Sequence, residues 1–400
     1  MQKECELLSP AGSLEKLQTV YTYGADAAYI GIDKFSLREG SERIDASSIN
    51  DLSTIRTKFK NKKLYGAINM FFFENDLNDL ENFIDELSLL NLDGFIVSDI
   101  GAGKLLKKYF PNTPLHLSTQ SSCTNSESAK LYRDLGYSRI ILAREVNLEN
   151  IKKIHDKVPD IELEAFVHGA MCMAVSGRCI LSAACTNRSA NRGECAHTCR
   201  WRYRLALEEE ERPGLYMPIE EHNNFTTILS SKDLSMIDYI NELKNAGLTS
   251  LKIEGRMKST YYAAITTRAY RKALDNDPNL SLYKEELEKV SHREWTTGFF
   301  FDKEKIEFYP PKEEYLRTYK FLGTIKNKVK ENIWSLDIKN QISSLRNIEA
   351  IGPDILSLPL GRVKTLDEEF NEVPHIDHGK VGYIKTDLPL ESGYILREEI

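Results

Sequence analysis

The chain has 400 residues, of which 41% are hydrophobic and 28% are charged, and its formal net charge is -7. This length predicts one large domain plus a smaller one, and the composition is ordinary for a protein that buries a sizeable core. The charge excludes a protein coated in positive charge, but nucleic-acid binding needs only a local basic patch and stays open.

The sequence lacks the apolar features that direct a chain to or across a membrane. The N-terminal MQKECELLSPAG has no apolar core of the length a signal peptide needs. No run approaches about 18 consecutive apolar residues, so no transmembrane helix is expected. We therefore expect a cytoplasmic protein, in a reducing compartment where clustered cysteines bind metal more often than they form disulfides.

Short apolar runs alternate with amphipathic segments from Glu4 to about Asp277. The apolar runs predict strands buried on both faces, and the amphipathic segments predict helices. Each predicted strand is followed by a helix, directly or after an insertion. In chain order, the eight predicted strands are CELLSP, DAAYIGI, KKLYGAINM, DGFIVSD, PLHLST, SRIILARE, IELEAFVHG and TSLKIEG.

This regular alternation predicts an α/β fold, a (β/α)8 TIM-barrel-like domain over 1–310. An open doubly wound sheet is the alternative, but it needs a glycine-rich first turn. The first strand here leads into SPAGSLEKL, which lacks G-x-G-x-x-G, and this favours the barrel.

A long insertion, at about 170–230, separates the seventh predicted strand from the helix that begins near Met236. It opens with a cysteine-rich stretch and continues with WRYRLALEEEERPGLYMPIEE, which predicts a β-hairpin. Because the loops after the strands form the active sites of such barrels, the insertion should lie over the barrel mouth. Short strands separated by Gly, Asn and Asp turns predict a small antiparallel β-barrel or sandwich domain over 311–400.

Five of the seven cysteines lie in the insertion, with the spacing Cys172-x6-Cys179-x5-Cys185-x9-Cys195-x3-Cys199. Only the last pair has the short spacing of a zinc knuckle, and C-x-x-C is absent. Irregularly spaced thiolates on a loop-rich segment favour an iron–sulfur cluster; zinc, buried structural cysteines and a nucleophilic thiol are the alternatives. A cluster with four ligands leaves one cysteine over.

Three segments carry a resemblance to a known family: ELEAFVHGAMCMAVSGRCILS, NRGECAHTCRWRYRL and SLKIEGRMKSTYYAAITTRAYRKALD. They resemble the collagenase-like peptidases, a family of unassigned catalytic type, and within it the prephenate-dependent tRNA uridine hydroxylases. The resemblance extends from SPAGSLEKL to TTGFFF near residue 300. It implies a (β/α)8-type domain, a C-terminal β-barrel domain and a [4Fe-4S] cluster, whose implied ligands are Cys172, Cys179, Cys195 and Cys199.

The resemblance also implies an activity, the hydroxylation of carbon 5 of the wobble uridine in the anticodon loop of tRNA, with prephenate required. The older family name suggests a protease instead, but the sequence has neither H-E-x-x-H nor G-x-S-x-G. A non-catalytic RNA-binding protein with a structural cluster is the third alternative. Whether a partner subunit is needed stays open.

A prephenate-like ligand carries two carboxylates, which arginine forks bind well. The candidate cations lie at predicted strand ends and in the cysteine-rich stretch: Arg144, Lys252, Arg256 and Arg178. Structural pairing with glutamates, such as Glu145 or Glu254, is the competing explanation for these cations. Three other polar residues follow or end predicted strands. His168 is a candidate acid or base, or a structural histidine near the cluster. Glu254 is either catalytic or a partner for an arginine, and Gln120 is a candidate substrate contact.

The segment after the cysteines interleaves cations with aromatic residues, at Arg200, Trp201 and Arg202. Cations for phosphates beside rings for an unpaired base fit single-stranded RNA, such as an anticodon loop. The alternative is that these arginines pair with the acidic run at 208–211.

Overall fold

The structure is a computed structural model. It describes residues 5–37, 48–171, 179, 181–186, 188, 190, 193–198, 201, 206–208, 216–218, 232–301 and 316–400.

Eight parallel strands close into a barrel, as predicted. Each of the first seven pairs with its neighbour in chain order, and the eighth pairs with both the seventh and the first, which closes the sheet. Numbered in chain order with all other strands, they are β1 (Glu6–Pro10), β2 (Ala27–Gly31), β3 (Lys63–Ile68), β4 (Gly94–Val97), β5 (Leu115–Leu117), β6 (Tyr137–Ile141), β7 (Glu162–Ala170) and β11 (Ser250–Ile253).

The barrel strands are buried along nearly their whole length because side chains fill the interior and helices cover the outside. All four residues of β4 and all four of β11 are buried. A strand buried on both faces must be apolar at consecutive positions, which is why these strands appear as continuous apolar runs.

The helices outside the insertion follow the predicted amphipathic segments, and one of these segments is divided. The segment DLNDLENFIDELSLLN forms two helices, because the chain leaves helical geometry at Phe83 (φ -95°, ψ 1°). Side-chain oxygens of Asp99, Asn125, Asn147 and Ser259 cap four helices. The helices are α1 (Leu14–Thr22), α2 (Ile49–Lys58), α3 (Glu74–Asn82), α4 (Ile84–Leu89), α5 (Ile100–Tyr109), α6 (Ser126–Asp134), α7 (Leu148–Lys157), α8 (Leu181–Thr186), α9 (Ile240–Asn245), α10 (Thr260–Leu274) and α11 (Leu280–Leu287).

The insertion after β7 contains α8 and the predicted hairpin, in which β8 (Ala206–Glu208) pairs antiparallel with β9 (Tyr216–Pro218). Two further strands extend the barrel sheet beside the end of β7. β10 (Asp233–Ser235) runs antiparallel to β7, and β12 (Trp295–Thr296) joins β10 in parallel.

The C-terminal residues form an eight-stranded antiparallel sheet, which confirms the predicted antiparallel β domain. The sheet strands are β13 (Tyr319–Lys330), β14 (Ile333–Ile338), β16 (Ile348–Ile351), β17 (Leu358–Gly361), β18 (Lys364–Leu366), β19 (Glu372–Val373), β21 (Tyr383–Lys385) and β22 (Ile395–Glu399); β15 (Ile342–Ser343) and β20 (His375–Ile376) pair separately. The strand order is β17-β16-β22-β13-β14-β21-β18-β19, and the described residues show no pairing between the two edge strands, so the sheet is a half-barrel. One face packs on a core that includes Leu322, Ile325, Ile384 and Leu396.

Contacts divide the chain into two compact units. The first comprises Met1–Leu14, Ala27–Met257 and Arg293–Glu314, and the second comprises Glu15–Asp26, Lys258–His292 and Tyr315–Ile400. The second unit thus contains α1, α10 and α11 together with the C-terminal sheet. The domain boundary predicted at 310–311 stays a prediction. Among the described helices, none combines the length and the apolar character that a membrane span requires.

Candidate functional site at the barrel mouth

We call the end of the barrel where the carboxyl ends of the strands lie the barrel mouth. There, hydrogen bonds connect the loops that follow β3, β4, β5 and β6. The Ser98 hydroxyl donates to the carbonyl of Met70 (2.9 Å), and the Ser121 hydroxyl donates to the carbonyl of Ser98 (2.8 Å). The Thr119 hydroxyl donates to the carbonyl of Leu142 (3.0 Å). These bonds hold neighbouring loops in register, so the mouth is a fixed frame for the side chains it carries.

Arg256 anchors the loop after β2. Its Nη2 donates to the carbonyl of Leu37 (3.0 Å), while the amide of Leu37 donates to Oδ1 of Asn69 (3.2 Å). A Cβ at Gly31 would lie 2.7 Å from Nη1 of Arg256, so glycine there makes room for the guanidinium. The structure therefore gives buried Arg256 a positioning role, and a direct substrate contact stays a prediction.

Arg144 differs from the other candidate cations. Its guanidinium carbon lies 4.3 Å from the ring centroid of Phe166, and the residue is half-buried. Within the described part of the chain, the guanidinium makes neither a hydrogen bond nor an ion pair. A cation held by a ring face with its donors unused is suited to binding a carboxylate or a phosphate.

Phe166 belongs to a column of alternating rings and cations across the barrel. The Lys252 ammonium lies 5.4 Å from the centroid of Phe166 and 4.4 Å from that of Tyr29. The order is therefore Tyr29, Lys252, Phe166 and Arg144, contributed by β2, β11, β7 and the segment after β6. Arg144 is the end of this column at the mouth.

Lys252 is bonded to the barrel interior. Its ammonium lies 3.1 Å from Oε1 of Glu164, whose Oε2 accepts from Arg139 (3.0 Å). Arg139 also pairs with Glu6 and Glu162, the first residues of β1 and β7, so this network occupies the amino-terminal half of the barrel. Burial lowers the pKa of Lys252, and Glu164 opposes that shift. This pairing with Glu164 supports the structural alternative for Lys252, and a substrate contact stays a prediction.

The same network holds a neutral histidine. His116 on β5 packs edge-on against the Tyr65 ring, with the centroids 4.6 Å apart. Burial lowers the pKa of His116 well below its usual value, and the charges of Arg139 and Lys252 add to that effect. Of these three basic side chains in the interior, Arg139 and Lys252 are paired with Glu164 and His116 is neutral.

His168 and Glu254 connect β7 with the end of β11. The Glu254 amide donates to the carbonyl of His168 (2.8 Å), and the Glu254 carboxylate lies 3.5 Å from the Tyr29 hydroxyl. His168 is fully buried, and its ring centroid lies 5.0 Å from that of Trp295 on β12. A role of His168 as acid or base stays a prediction, while its packing supports the structural alternative.

Gly169, between His168 and the insertion, has a φ of 104°, and a Cβ there would lie 2.6 Å from the carbonyl oxygen of Glu254. We expect Gly169→Ala to lower the free energy of unfolding by about 1–3 kcal/mol, because alanine adds backbone strain and displaces Glu254. Urea denaturation measures this. Gly136→Ala is the control, since Gly136 has a φ of 91° with nothing within 4 Å. Equal losses in the two variants would contradict a role for the Glu254 contact.

The remaining predicted substrate contacts are described in part. Gln120 lies half-buried in the 3-10 turn Thr119–Ser121, and its backbone N–H donates to the Ser118 hydroxyl (3.4 Å). The residue Trp201 is 45% exposed, and its role in stacking a base stays a prediction. The predictions for Arg178, Arg200 and Arg202 concern positions outside the described residues.

Two of the four implied cluster ligands, Cys179 and Cys195, lie among the described residues. Cys179 and Cys195 are half-buried, Cys185 is exposed, and none of the three forms a disulfide. The amide of Ala196, next to Cys195, donates to the hydroxyl of Ser182 on α8 (3.0 Å), three residues after Cys179. This bond draws the two segments together. Cys172 and Cys199 lie outside the described residues, and the described part alone contains no group of three metal-ligating side chains.

Sequence reasoning missed Phe166 and Tyr29, because buried aromatic residues in strands usually belong to the core. A signal was present: side chains alternate along a strand, so Glu164 and Phe166 share one face of β7. A carboxylate and a ring on the face that meets Lys252 indicate more than a hydrocarbon core.

Residues 12–308 match the model of peptidase family U32. The chain belongs to this family. This U32 protein is 41% identical over 301 residues to tRNA hydroxylation protein P of Helicobacter pylori. The match covers 74% of this chain and 71% of that protein. It is 36% identical over 273 residues to the 23S rRNA 5-hydroxycytidine synthase of Escherichia coli (68% of this chain, 39% of that protein). It is 31% identical over 314 residues to a collagenase of Porphyromonas gingivalis (74% and 73%).

Proposed function

We propose that this U32 protein hydroxylates carbon 5 of the wobble uridine in the anticodon loop of tRNA, with a prephenate-like dicarboxylate as co-substrate. The observation that carries the proposal is the 41% identity to a protein named for tRNA hydroxylation. A second relative, named as a 5-hydroxycytidine synthase of rRNA, supports a site that hydroxylates pyrimidines in RNA.

In this proposal Arg144 binds a carboxylate of the small co-substrate. Its guanidinium is oriented by Phe166 and makes no ion pair in the described part of the chain, so no protein carboxylate has to be displaced. Arg256 holds the neighbouring loop through Leu37. The base must enter unstacked, which an anticodon loop permits at little energetic cost.

The collagenase relative keeps a protease as the second candidate. A thiol protease needs an activated thiolate, and Cys123 is a thiol at the mouth outside the insertion. Burial raises the pKa of Cys123 to about 11, so this thiol is protonated at neutral pH and is a poor nucleophile. This observation argues against Cys123 as a protease nucleophile.

The proposed [4Fe-4S] cluster would be held by Cys172, Cys179, Cys195 and Cys199. When bound, such a cluster supplies one-electron redox chemistry or a rigid brace for the insertion. The half-buried positions of Cys179 and Cys195, and the Ser182 bond between their segments, support this ligand set, whereas the exposure of Cys185 supports its exclusion.

Cysteine substitutions test the ligand set. We expect Cys179→Ser and Cys195→Ser to lose the iron and the brown colour of anaerobically prepared protein, because each removes one thiolate of the cluster. Cys185→Ser is the matched control and should retain about four irons per chain. Iron analysis and visible absorption measure the outcome. A colourless wild-type protein that holds one zinc after anaerobic reconstitution would overturn the cluster.

Nucleoside mass spectrometry of tRNA tests the function itself. A strain that lacks this gene, and any redundant pathway, should lose 5-hydroxyuridine derivatives and regain them on complementation. An unchanged level of these nucleosides would overturn the hydroxylase.

A further inference from the structure

We propose that Ser36 is a substrate-binding residue at the barrel mouth, whose hydroxyl donates a hydrogen bond to a carboxylate beside Arg256. In this arrangement Ser36 binds one carboxylate of the prephenate-like co-substrate, and Arg144 binds the other. The inference rests on the proposed function and deepens it, because it names a second contact for the same dicarboxylate.

The Ser36 hydroxyl is a buried polar group without a partner in the chain. Ser36 lies in the segment after β2, and only 4% of the residue is exposed. Within the described part of the chain, its Oγ forms no hydrogen bond. Burial of a hydroxyl without a hydrogen bond is unfavourable, and nearly all buried polar groups in folded proteins are paired. We therefore expect this hydroxyl to pair with a ligand or a water molecule.

The space beside the Ser36 hydroxyl exists because residue 31 is a glycine. A Cβ on Gly31, the last residue of β2, would lie 2.9 Å from Oγ of Ser36 and 2.7 Å from Nη1 of Arg256. Side chains alternate along a strand, so position 31 shares the inward face of β2 with Tyr29. The hydroxyl and the guanidinium thus meet on that inward face, near the end of the column that lies opposite Arg144.

Arg256 gives this position a positive charge. It is buried, and its Nη2 donates to the carbonyl of Leu37 (3.0 Å). A carbonyl is a neutral acceptor, so this bond orients the guanidinium without neutralising it. A hydroxyl donor beside a guanidinium suits a carboxylate, because hydrogen bonds to a charged acceptor are stronger than those between neutral groups.

The backbone on both sides of Ser36 is held in place. The carbonyl of Phe35 accepts from the amide of Met70 (3.2 Å), and the amide of Leu37 donates to Oδ1 of Asn69 (3.2 Å). Both partners directly follow β3. The Ser36 hydroxyl therefore projects from a fixed segment, and a pre-organised donor loses less entropy on binding than one on a mobile loop.

Calorimetric titration of the full-length protein with prephenate tests the contact without any need for turnover. We expect Ser36→Ala to raise the Kd by about 10- to 150-fold, the loss expected for one hydrogen bond to a charged group. Gly31→Ala should also weaken binding, because its Cβ displaces the hydroxyl and the guanidinium. Thr324→Val is the matched control: within the described part of the chain its buried hydroxyl also lacks a hydrogen-bond partner, but it belongs to β13 of the C-terminal sheet.

The free energy of unfolding separates ligand binding from a structural role of Ser36. The described residues offer the hydroxyl no partner, so Ser36→Ala removes no hydrogen bond between them. The free energy of unfolding of the ligand-free protein should therefore stay the same or rise. If the hydroxyl instead holds a structural water, Ser36→Ala should lower that free energy and leave the Kd for prephenate unchanged. That result would overturn the inference.

Phenylpyruvate has one carboxylate where prephenate has two, so it tests whether Ser36 and Arg144 bind different carboxylates. If they do, only one of the variants Ser36→Ala and Arg144→Gln should weaken the binding of phenylpyruvate relative to wild type. Equal losses in the two variants would contradict two separate contacts.

The prephenate titration also distinguishes failure of this inference from failure of the proposed function. If the wild type and Ser36→Ala bind prephenate equally, the inference fails and the hydroxylase proposal stands. If the wild type binds no prephenate, the inference and the proposed co-substrate both fail, and nucleoside mass spectrometry still decides whether the protein hydroxylates tRNA.

Discussion

Arg144→Gln is expected to lower kcat/KM for hydroxylation by about 10- to 150-fold and to leave the free energy of unfolding nearly unchanged. The range follows from the loss of a hydrogen bond to a charged group, about 1.5–3 kcal/mol. Stability should be spared because the guanidinium makes one cation–π contact, with Phe166, and no ion pair in the described part of the chain. Activity is measured as 5-hydroxyuridine formed per tRNA over a range of prephenate concentrations.

The KM for prephenate distinguishes carboxylate binding from other roles of Arg144. Arg144→Lys should recover part of the activity, because lysine keeps the charge but lacks the planar fork. Arg133→Gln is the control: this arginine pairs with Asp134 and Asp160 on the outside of the barrel. A normal KM for prephenate in Arg144→Gln would show that the co-substrate binds elsewhere.

Glu164→Gln is expected to lower the free energy of unfolding by about 3–5 kcal/mol, the largest stability effect that we predict. The Glu164 side chain is 0% exposed and accepts from both Arg139 and Lys252. Neutralising it leaves two buried cations without the carboxylate between them. Equilibrium denaturation in urea measures the loss. Glu162→Gln is the control, since that carboxylate binds the same Arg139 but is 28% exposed, and its loss should cost much less.

A double variant tests whether the effect of Glu164→Gln is electrostatic. Lys252→Met removes the ammonium and keeps an unbranched side chain of similar length, so it should restore part of the stability when added to Glu164→Gln. If the two losses simply add, buried charge is not the cause and packing of the Glu164 side chain is.

Much of the fold was predictable because its signals are local. The β4 segment GFIV is buried at every position, and the sequence shows it as an unbroken apolar run. Helix ends were less predictable: the break at Phe83 has no proline or glycine to mark it. At the mouth, the sequence identified Arg144, Lys252 and Arg256 as equivalent cations at strand ends. The residues alone did not show which four of the five insertion cysteines would bind a cluster; only the family resemblance separated them.

Tertiary structure distinguishes those cations, because their partners are distant in the chain. Lys252 pairs with Glu164, 88 positions away, and Arg256 binds the carbonyl of Leu37, 219 positions away. Arg144 contacts the Phe166 ring instead of an acid, and this difference supports the proposal that Arg144 binds a substrate carboxylate. The alternation of apolar runs with amphipathic segments therefore determined the barrel, because a strand that is buried on both faces must be apolar at each position. Which charge remains available at its mouth was decided only when closure of the sheet brought β11 beside β7 and β1.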